Sequence, residues 1–247
     1  MKYRFLLTLV FLLSATSVVA ANGPETSPTA EEIVARMVAH DLARQTSIDG
    51  YDGMRRYVLD NQKFQKRAEM LVHVQGDRDG TKHFEVVSEG GWKSAHKHVF
   101  NKMLESETET SRPGMRASTK MIPENYDFAF VGTEILGGRA AYVLEVRPKR
   151  SEKYLFEGRV WVDAEDYALA RAEGEPAKKP SFWTKSIHFV QVYQKCGPVW
   201  FPLSTQSVTE AHIFGTTDVS IEYFDYQPKM QSRAGNSIAS TEVQDKP

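Results

Sequence analysis

Residues 154–171 read Tyr154-Leu-Phe-Glu-Gly-Arg-Val-Trp-Val-Asp-Ala-Glu-Asp-Tyr-Ala-Leu-Ala-Arg171. Tyr154, Phe156, Val160 and Val162 fall at even spacing, so a strand places all four on one face. Asp163-Ala164-Glu165-Asp166 then interrupts the run. Acidic side chains favour turns because they bond nearby backbone N–H groups. The chain resumes from Tyr167 to Glu173. A strand, a short acidic turn and a returning strand make an antiparallel hairpin with one buried face.

The same alternation continues in both directions. Toward the C-terminus, Phe182 to Lys195, Val199 to Thr209 and Thr217 to Tyr226 read as strands, separated by the loop Pro176 to Pro180 and the turn Gly197-Pro198. Toward the N-terminus, Tyr142, Leu144 and Val146 alternate with Glu145 and Arg147. Gly137-Gly138 marks a tight hairpin turn before them, and Tyr126, Phe128 and Phe130 alternate ahead of it. Earlier still, Met54 to Asp60, Phe64 to Gln75 and His83 to Val86 are strand-like, with a turn at 76–80 and an end at Gly90-Gly91. In the second of these, Ala68, Met70, Val72 and Val74 share a face opposite Glu69 and His73. The count comes to about nine or ten strands in an antiparallel meander.

Two helices break the pattern. Thr29 precedes Glu32 at capping-box spacing, and Ile33, Val34, Met37, Val38 and Leu42 recur on one helical face, with Glu31, Arg36 and Arg44 mostly off it. Ser94 to Glu107 carries Val99, Phe100, Met103 and Leu104 on one face, and 111–120, with Pro113-Gly114, reads as a loop. Amphipathic helices need an apolar partner, and the sheet supplies it. The expected fold is mainly β (α+β): a single antiparallel meander sheet forming an incomplete, half β-barrel covered by two or more helices.

Residues 1–20 have the form of a cleavable signal peptide. Lys2 and Arg4 precede an apolar run from Phe5 to Leu13, and Val18-Val19-Ala20-Ala21 offers small residues for cleavage. The run is shorter than the roughly 20 residues a spanning helix needs. No Cys follows it, so the expectation is a soluble periplasmic or secreted product without a lipid anchor. Residues 21–28 read as a linker, 29–227 as one domain and 228–247 as a polar, disordered tail. Loss of residues 1–20 leaves 29 basic residues against 32 acidic ones, which gives no electrostatic case for nucleic acid. Cys196 is the single cysteine, so no intrachain disulfide forms, and it reads as a small buried hydrophobe.

The chain lacks the G-x-S-x-G, H-E-x-x-H, phosphate-loop and dinucleotide signatures. His96 and His98 are two residues apart, which on a helix points them to different faces, away from a shared metal. Asp163, Glu165 and Asp166 read as turn residues and not as a calcium loop, which requires further oxygen donors and a Gly in the bend. Lys149-Arg150 and Lys178-Lys179 read as solvated loop charges. Thirteen Phe, ten Tyr and four Trp are a heavy aromatic load, and much of it sits at alternating strand positions. Such an apolar wall serves equally as packed core or as the lining of a ligand cavity.

The order of elements resembles the periplasmic lipoprotein carriers of the LolA type and the related outer-membrane lipoprotein-sorting proteins. The hairpin at 154–171 carries the most specific likeness: an apolar strand ending in Val162-Asp163, a short turn, and a returning strand with a basic residue, Arg171. The resemblance implies a half-barrel whose concave apolar face holds acyl chains beneath helices. It implies a non-enzymatic carrier without cofactor or metal, monomeric, with a lipid or acylated lipoprotein as partner and an envelope membrane protein as a second one. The corresponding candidate cavity residues are Phe84, Val86, Phe128, Phe130, Tyr142, Leu144, Phe156 and Val160 from the sheet, with Val99, Phe100 and Met103 from the helical cover. The rival readings are an envelope protein-interaction or stress-sensing module and a secreted hydrolase using Asp163, Glu165 or His188.

Overall fold

The structure is a computed structural model that describes residues 27–179 and 181–231. The expected signal peptide and nearly all of the expected tail lie outside the described residues. The elements, in order, are α1 (Ala30–Thr46), β1 (Ile48–Asn61), β2 (Lys66–Asp77), β3 (Lys82–Gly91), α2 (Lys93–Ala95), a π-helical turn (His96–Phe100), α3 (Asn101–Ser111) and α4 (Pro113–Thr119). Seven strands follow: β4 (Tyr126–Leu136), β5 (Arg139–Pro148), β6 (Phe156–Asp163), β7 (Leu169–Pro176), β8 (Thr184–Cys196), β9 (Val199–Ala211) and β10 (Gly215–Met230).

All ten strands form one antiparallel sheet in the order β3-β2-β1-β10-β9-β8-β7-β6-β5-β4, which does not close into a barrel. It is two meanders joined by a long-range pair: β1 lies against β10, with Tyr57 opposite Ile221 and Leu59 opposite Val219. The edges are β3 and β4, and the helical stretch from Lys93 to Thr119 connects them. β10 continues to Met230, three residues past the expected end of the domain, because Ile48, Gly50 and Tyr51 pair with Met230, Lys229 and Pro228.

Local sequence explains most of the elements. The Thr29 hydroxyl accepts from the Glu32 N–H at 3.2 Å, and the Glu32 carboxylate accepts from the Thr29 N–H at 3.0 Å, the reciprocal capping box. Ala68, Met70, Val72 and Val74 are all buried on one face of β2. Gly137 and Gly138 have φ of 59° and 83°, the left-handed pair that a two-residue hairpin between Leu136 and Arg139 requires. The expected loop at 111–120 is instead the helix α4. Pro113 stands at its start, where a missing N–H costs nothing.

Two clusters make up most of the core. Under α1, Ile33, Val34 and Met37 pack with Tyr126, Leu144, Val146, Leu155, Val160 and Val162. Under the rod from Lys93 to Ser111, Phe100 and Leu104 pack with Tyr57, Leu59, Met70, Val72, Val219 and Ile221. Fully burying each large aliphatic side chain contributes roughly 1.5–3 kcal/mol. The helix α1 reaches beyond its cluster. Val38 and Leu42, expected on the buried face, are 37% and 61% exposed. There Arg36 donates to the Tyr167 hydroxyl at 2.6 Å and Arg44 donates to the Asp166 carbonyl at 2.9 Å, so polar clamps hold the second half of the helix against the β6–β7 turn.

Candidate functional site

Strand register carries single rows of side chains across the whole sheet. One row runs Phe130, Leu144, Val160, Ala172, Gln191, Thr205, Ile221, Tyr57 and Met70 from β4 to β2. Its neighbour on the same face runs Phe128, Val146, Gly158, Gly174, Phe189, Ser207, Val219, Leu59 and Ala68. Each row is apolar at both ends, where a helix covers it. In the middle, on β8 and β9, the rows carry Gln191, Thr205 and Ser207, with Phe189 as a large ring that leans on Phe156 at the margin of the first cover. Gln191, Thr205, Ser207 and Phe189 are half-buried there. The two covers therefore leave a strip of sheet open between them.

Gly158 and Gly174 border this strip on β6 and β7. They face one another across β6 and β7, and a Cβ on Gly158 would stand 2.0 Å from the Glu173 carbonyl oxygen. The strip's polar groups are already ordered. The Tyr193 hydroxyl donates to the Gln191 side-chain Oε1 at 3.0 Å, and the hydroxyls of Tyr223 and Thr205 lie 3.1 Å apart. Burial pushes the Tyr193 and Tyr223 phenols above their ordinary range, so both stay neutral.

The structure divides ten of the eleven sequence-predicted residues between the two covers. Leu144 and Val160 are core under α1, with Phe128, Phe130, Tyr142 and Phe156 packed partly buried against them. Phe100 is core under the second cover, with Phe84, Val99 and Met103 beside it. Val86 is 43% exposed on the edge strand β3. Alternation identified the face; it did not show that the face carries two separate clusters flanking the strip.

At one end of the strip lies a buried ionic network that alternation hides. Arg55 is 1% exposed at a strand position whose neighbours on the same face, Tyr57 and Leu59, are core. Its guanidinium donates to both Glu107 oxygens, at 2.6 and 3.1 Å, and to the Tyr226 hydroxyl at 2.7 Å. Lys82 reaches the same carboxylate at 2.6 Å. The rings of Phe84 and Tyr223 lie 5.2 and 4.9 Å from the guanidinium carbon. Burial alone would raise the Glu107 carboxyl; Lys82 and Arg55 outweigh it and hold the pKa down at about 2. One signal was present in the sequence: an Arg two residues before Tyr57 shares the apolar parity of its strand.

Two cavities adjoin this network, of about 220 and 270 Å³. Both are lined by Tyr51, Gly80, Lys82 and Arg116. The first is walled by the stacked Tyr51 and Tyr226 rings, 5.6 Å apart, and by Phe201. A third, shallower groove of about 650 Å³ runs between β3 and α3 along Lys82, Phe84 and Leu104. Phe84 alone of the eleven predicted residues lines one of these three cavities.

The acidic turn of the opening hairpin is a structural knot. Asp163 is buried, receives a two-pronged pair from Arg139 at 2.6 and 2.8 Å, and accepts the N–H groups of Glu165 and Asp166 at 3.1 and 2.7 Å. Burial opposes its ionisation, but Arg139 and these N–H groups prevail and keep its pKa below the ordinary carboxylate value. His96 is buried, with Nε2 2.8 Å from the Gly90 carbonyl oxygen, whereas His98 is exposed. Cys196 is half-buried at the end of β8.

Residues 123–227, from β4 through most of β10, match a family described as a family of unknown function, DUF5686. No curated protein matches the chain. Among solved structures, the chain is similar to a DUF1329 family protein from Desulfovibrio piger, with 12% identity and a TM-score of 0.43 over 85% of this chain and 96% of that one. It is similar to a putative outer membrane lipoprotein-sorting protein domain from Vibrio parahaemolyticus, with 13% identity and a TM-score of 0.42 over 84% and 95%. It is also similar to a LolA superfamily protein from Nitrosomonas europaea, with 11% identity and a TM-score of 0.35 over 83% and 94%. The last two carry the descriptions that the hairpin at 154–171 resembles.

Proposed function

We propose that this chain is a non-enzymatic binding or carrier protein of the cell envelope for a lipid or a lipoprotein acyl group. The single observation that carries the reading is the half-buried strip over β8 and β9, flanked on the same sheet face by two helix-covered apolar clusters. An acyl tail laid along it leaves water at a gain of roughly 0.8 kcal/mol per buried CH₂. Gln191, Thr205 and Ser207 supply the polar partners that an ester or amide linkage at the end of the tail requires. Delivery follows when a membrane or partner presents an equally apolar surface. The signal-peptide form of residues 1–20 supports an address in the envelope space.

The test is direct. Mass spectrometry of the mature protein purified from native envelopes should find a co-eluting lipid, and a fluorescent fatty acid should bind with saturation. Thr205→Trp, which fills the middle of the strip, should reduce that uptake at least tenfold. A lipid-free protein that takes up no fatty acid ends this reading.

A second reading has its own observation. The edge strand β3 is exposed along most of its length, with Val86 and Val87 43% and 54% exposed. An unpaired edge accepts a strand from another protein. A partner peptide that protects the β3 amides from hydrogen exchange, in a protein that takes up no lipid, would favour this module over the carrier.

A further inference from the structure

The strands β1, β7 and β9 run in the same direction, so the loops that follow them lie at one end of the sheet. Those loops carry Phe64, the pair Phe182-Trp183 and the pair Ile213-Phe214. Trp92, just after β3, lies at the same end. The side chains form two contacting groups along the rim. Phe64 meets Trp92 at 6.0 Å and Phe214 at 6.2 Å between ring centroids, and Phe182 meets Trp183 at 5.6 Å. The His212 N–H donates to the Trp183 carbonyl at 3.0 Å, which ties the second and third loops together.

These groups face solvent although nothing in their chemistry favours it. Phe182 is 90% exposed, Trp183 52%, Phe214 49%, Ile213 45% and Phe64 42%. Isolated exposed apolar residues need no explanation, whereas a joined row of aromatic ones marks a contact surface. The loop segments themselves carry charge of one sign, with Asp60, Glu210 and Asp218 on the strands just behind them. Residues 61–67, 181–186 and 211–217 hold Lys63, Lys66, Arg67 and Lys185 and no acidic residue, and Lys178 and Lys179 precede the second segment. Arg67 is paired with Asp60 and Glu69. Among the described residues, none of the five lysines forms a salt bridge. Lys63 donates to the Ile213 carbonyl at 2.8 Å and lies over the Phe64 ring, and Lys179 donates to the Lys185 carbonyl.

We propose that this rim docks on the surface of an anionic lipid bilayer. Aromatic rings prefer the water–hydrocarbon boundary, and lysines on flexible stems reach anionic headgroups from beside them. The row sits on loops at one end of the sheet, whose exposed rings can enter a soft headgroup layer together. It lies at the opposite end of the sheet from the Arg55 cavities, which open by the β2–β3 turn and the start of β9. Docking uses none of the strip residues Gln191, Thr205 and Ser207 on which the cargo reading rests, so each can fail alone.

The mature chain is mixed with vesicles of phosphatidylglycerol and phosphatidylethanolamine and, separately, of phosphatidylcholine, and sedimented at low and high salt. The expected result is binding to the anionic vesicles that weakens with salt, with a blue shift of tryptophan emission that Trp183→Phe largely removes. Phe182→Ser with Trp183→Ser, and separately Lys66→Glu with Lys185→Glu, should each weaken binding roughly tenfold or more at an unchanged thermal midpoint. Thr205→Trp should leave vesicle binding intact. Absent binding, binding equal in wild type and both rim variants, or a rim that captures an envelope protein while ignoring both vesicles overturns the proposal.

Discussion

Glu107 is the residue on which the polar end of the site depends. It joins Arg55, which is almost fully buried, to Lys82. Removing one member of such a network strands the others, at about 3 kcal/mol for a buried guanidinium left without its carboxylate. Glu107→Gln should therefore lower the urea-denaturation free energy at pH 7 by about that amount. The pH dependence follows from the depressed carboxyl. Its pKa is about 2 in the folded chain against an ordinary 4.5, so the folded state binds the proton more weakly than the unfolded chain does. The stabilisation is complete above pH 4.5 and drains away as pH falls toward 2. It amounts to on the order of 2–3 kcal/mol, reduced by solvent at this partly exposed group. Glu107→Gln should abolish that part of the acid sensitivity; denaturation curves collected between pH 7 and 2 on both proteins compare the slopes. Arg55 itself shows why this network is hard to read from sequence. Parity assigns it to the buried face, but only a partner 52 residues away makes burial of a charge tolerable.

At the scale of elements, α1 shows both what local pattern reaches and where it stops. Its start is written in Thr29 and Glu32, and both capping bonds form. Thr29→Ala should cost about 1 kcal/mol, read as a lower thermal midpoint with no change in the β-sheet circular dichroism signal. The far end of the helix was not legible. Val38 and Leu42 follow the helical spacing of Ile33 and Met37, yet they are exposed because periodicity says which residues share a face and not how far the partner surface extends. The loop before β8 teaches the same lesson. Phe182 and Trp183 have the composition of a strand, but β8 begins at Thr184 and leaves both rings at the rim. In α4, Pro113-Gly114 has the composition of a turn, and the helix forms because proline is tolerated in a first turn.

The whole molecule is held together by the pair β1–β10, the one sheet contact between its two meanders. These strands flank the second core cluster and contribute Tyr57, Leu59, Val219 and Ile221 to it. Native-state hydrogen exchange should find the amides of β1 and β10 among the slowest, opening only with global unfolding, while β3 and β4 exchange earlier from the sheet edges. Uniform protection across the sheet would contradict this order. By itself, the sequence determined the inventory: about nine or ten strands from period-two alternation, the glycine turns, the capped first helix, the hairpin at 154–171 and the helical cover near Val99 to Leu104. All of these rest on interactions between residues close along the chain. The tertiary structure alone decided that β1 meets β10, that the helices cover two separate patches, that Gln191, Thr205 and Ser207 lie open between them, and that Phe64, Trp183 and Phe214 share one rim. Those outcomes depend on register between distant strands, and a pattern of alternation is the same whichever partner a strand finds.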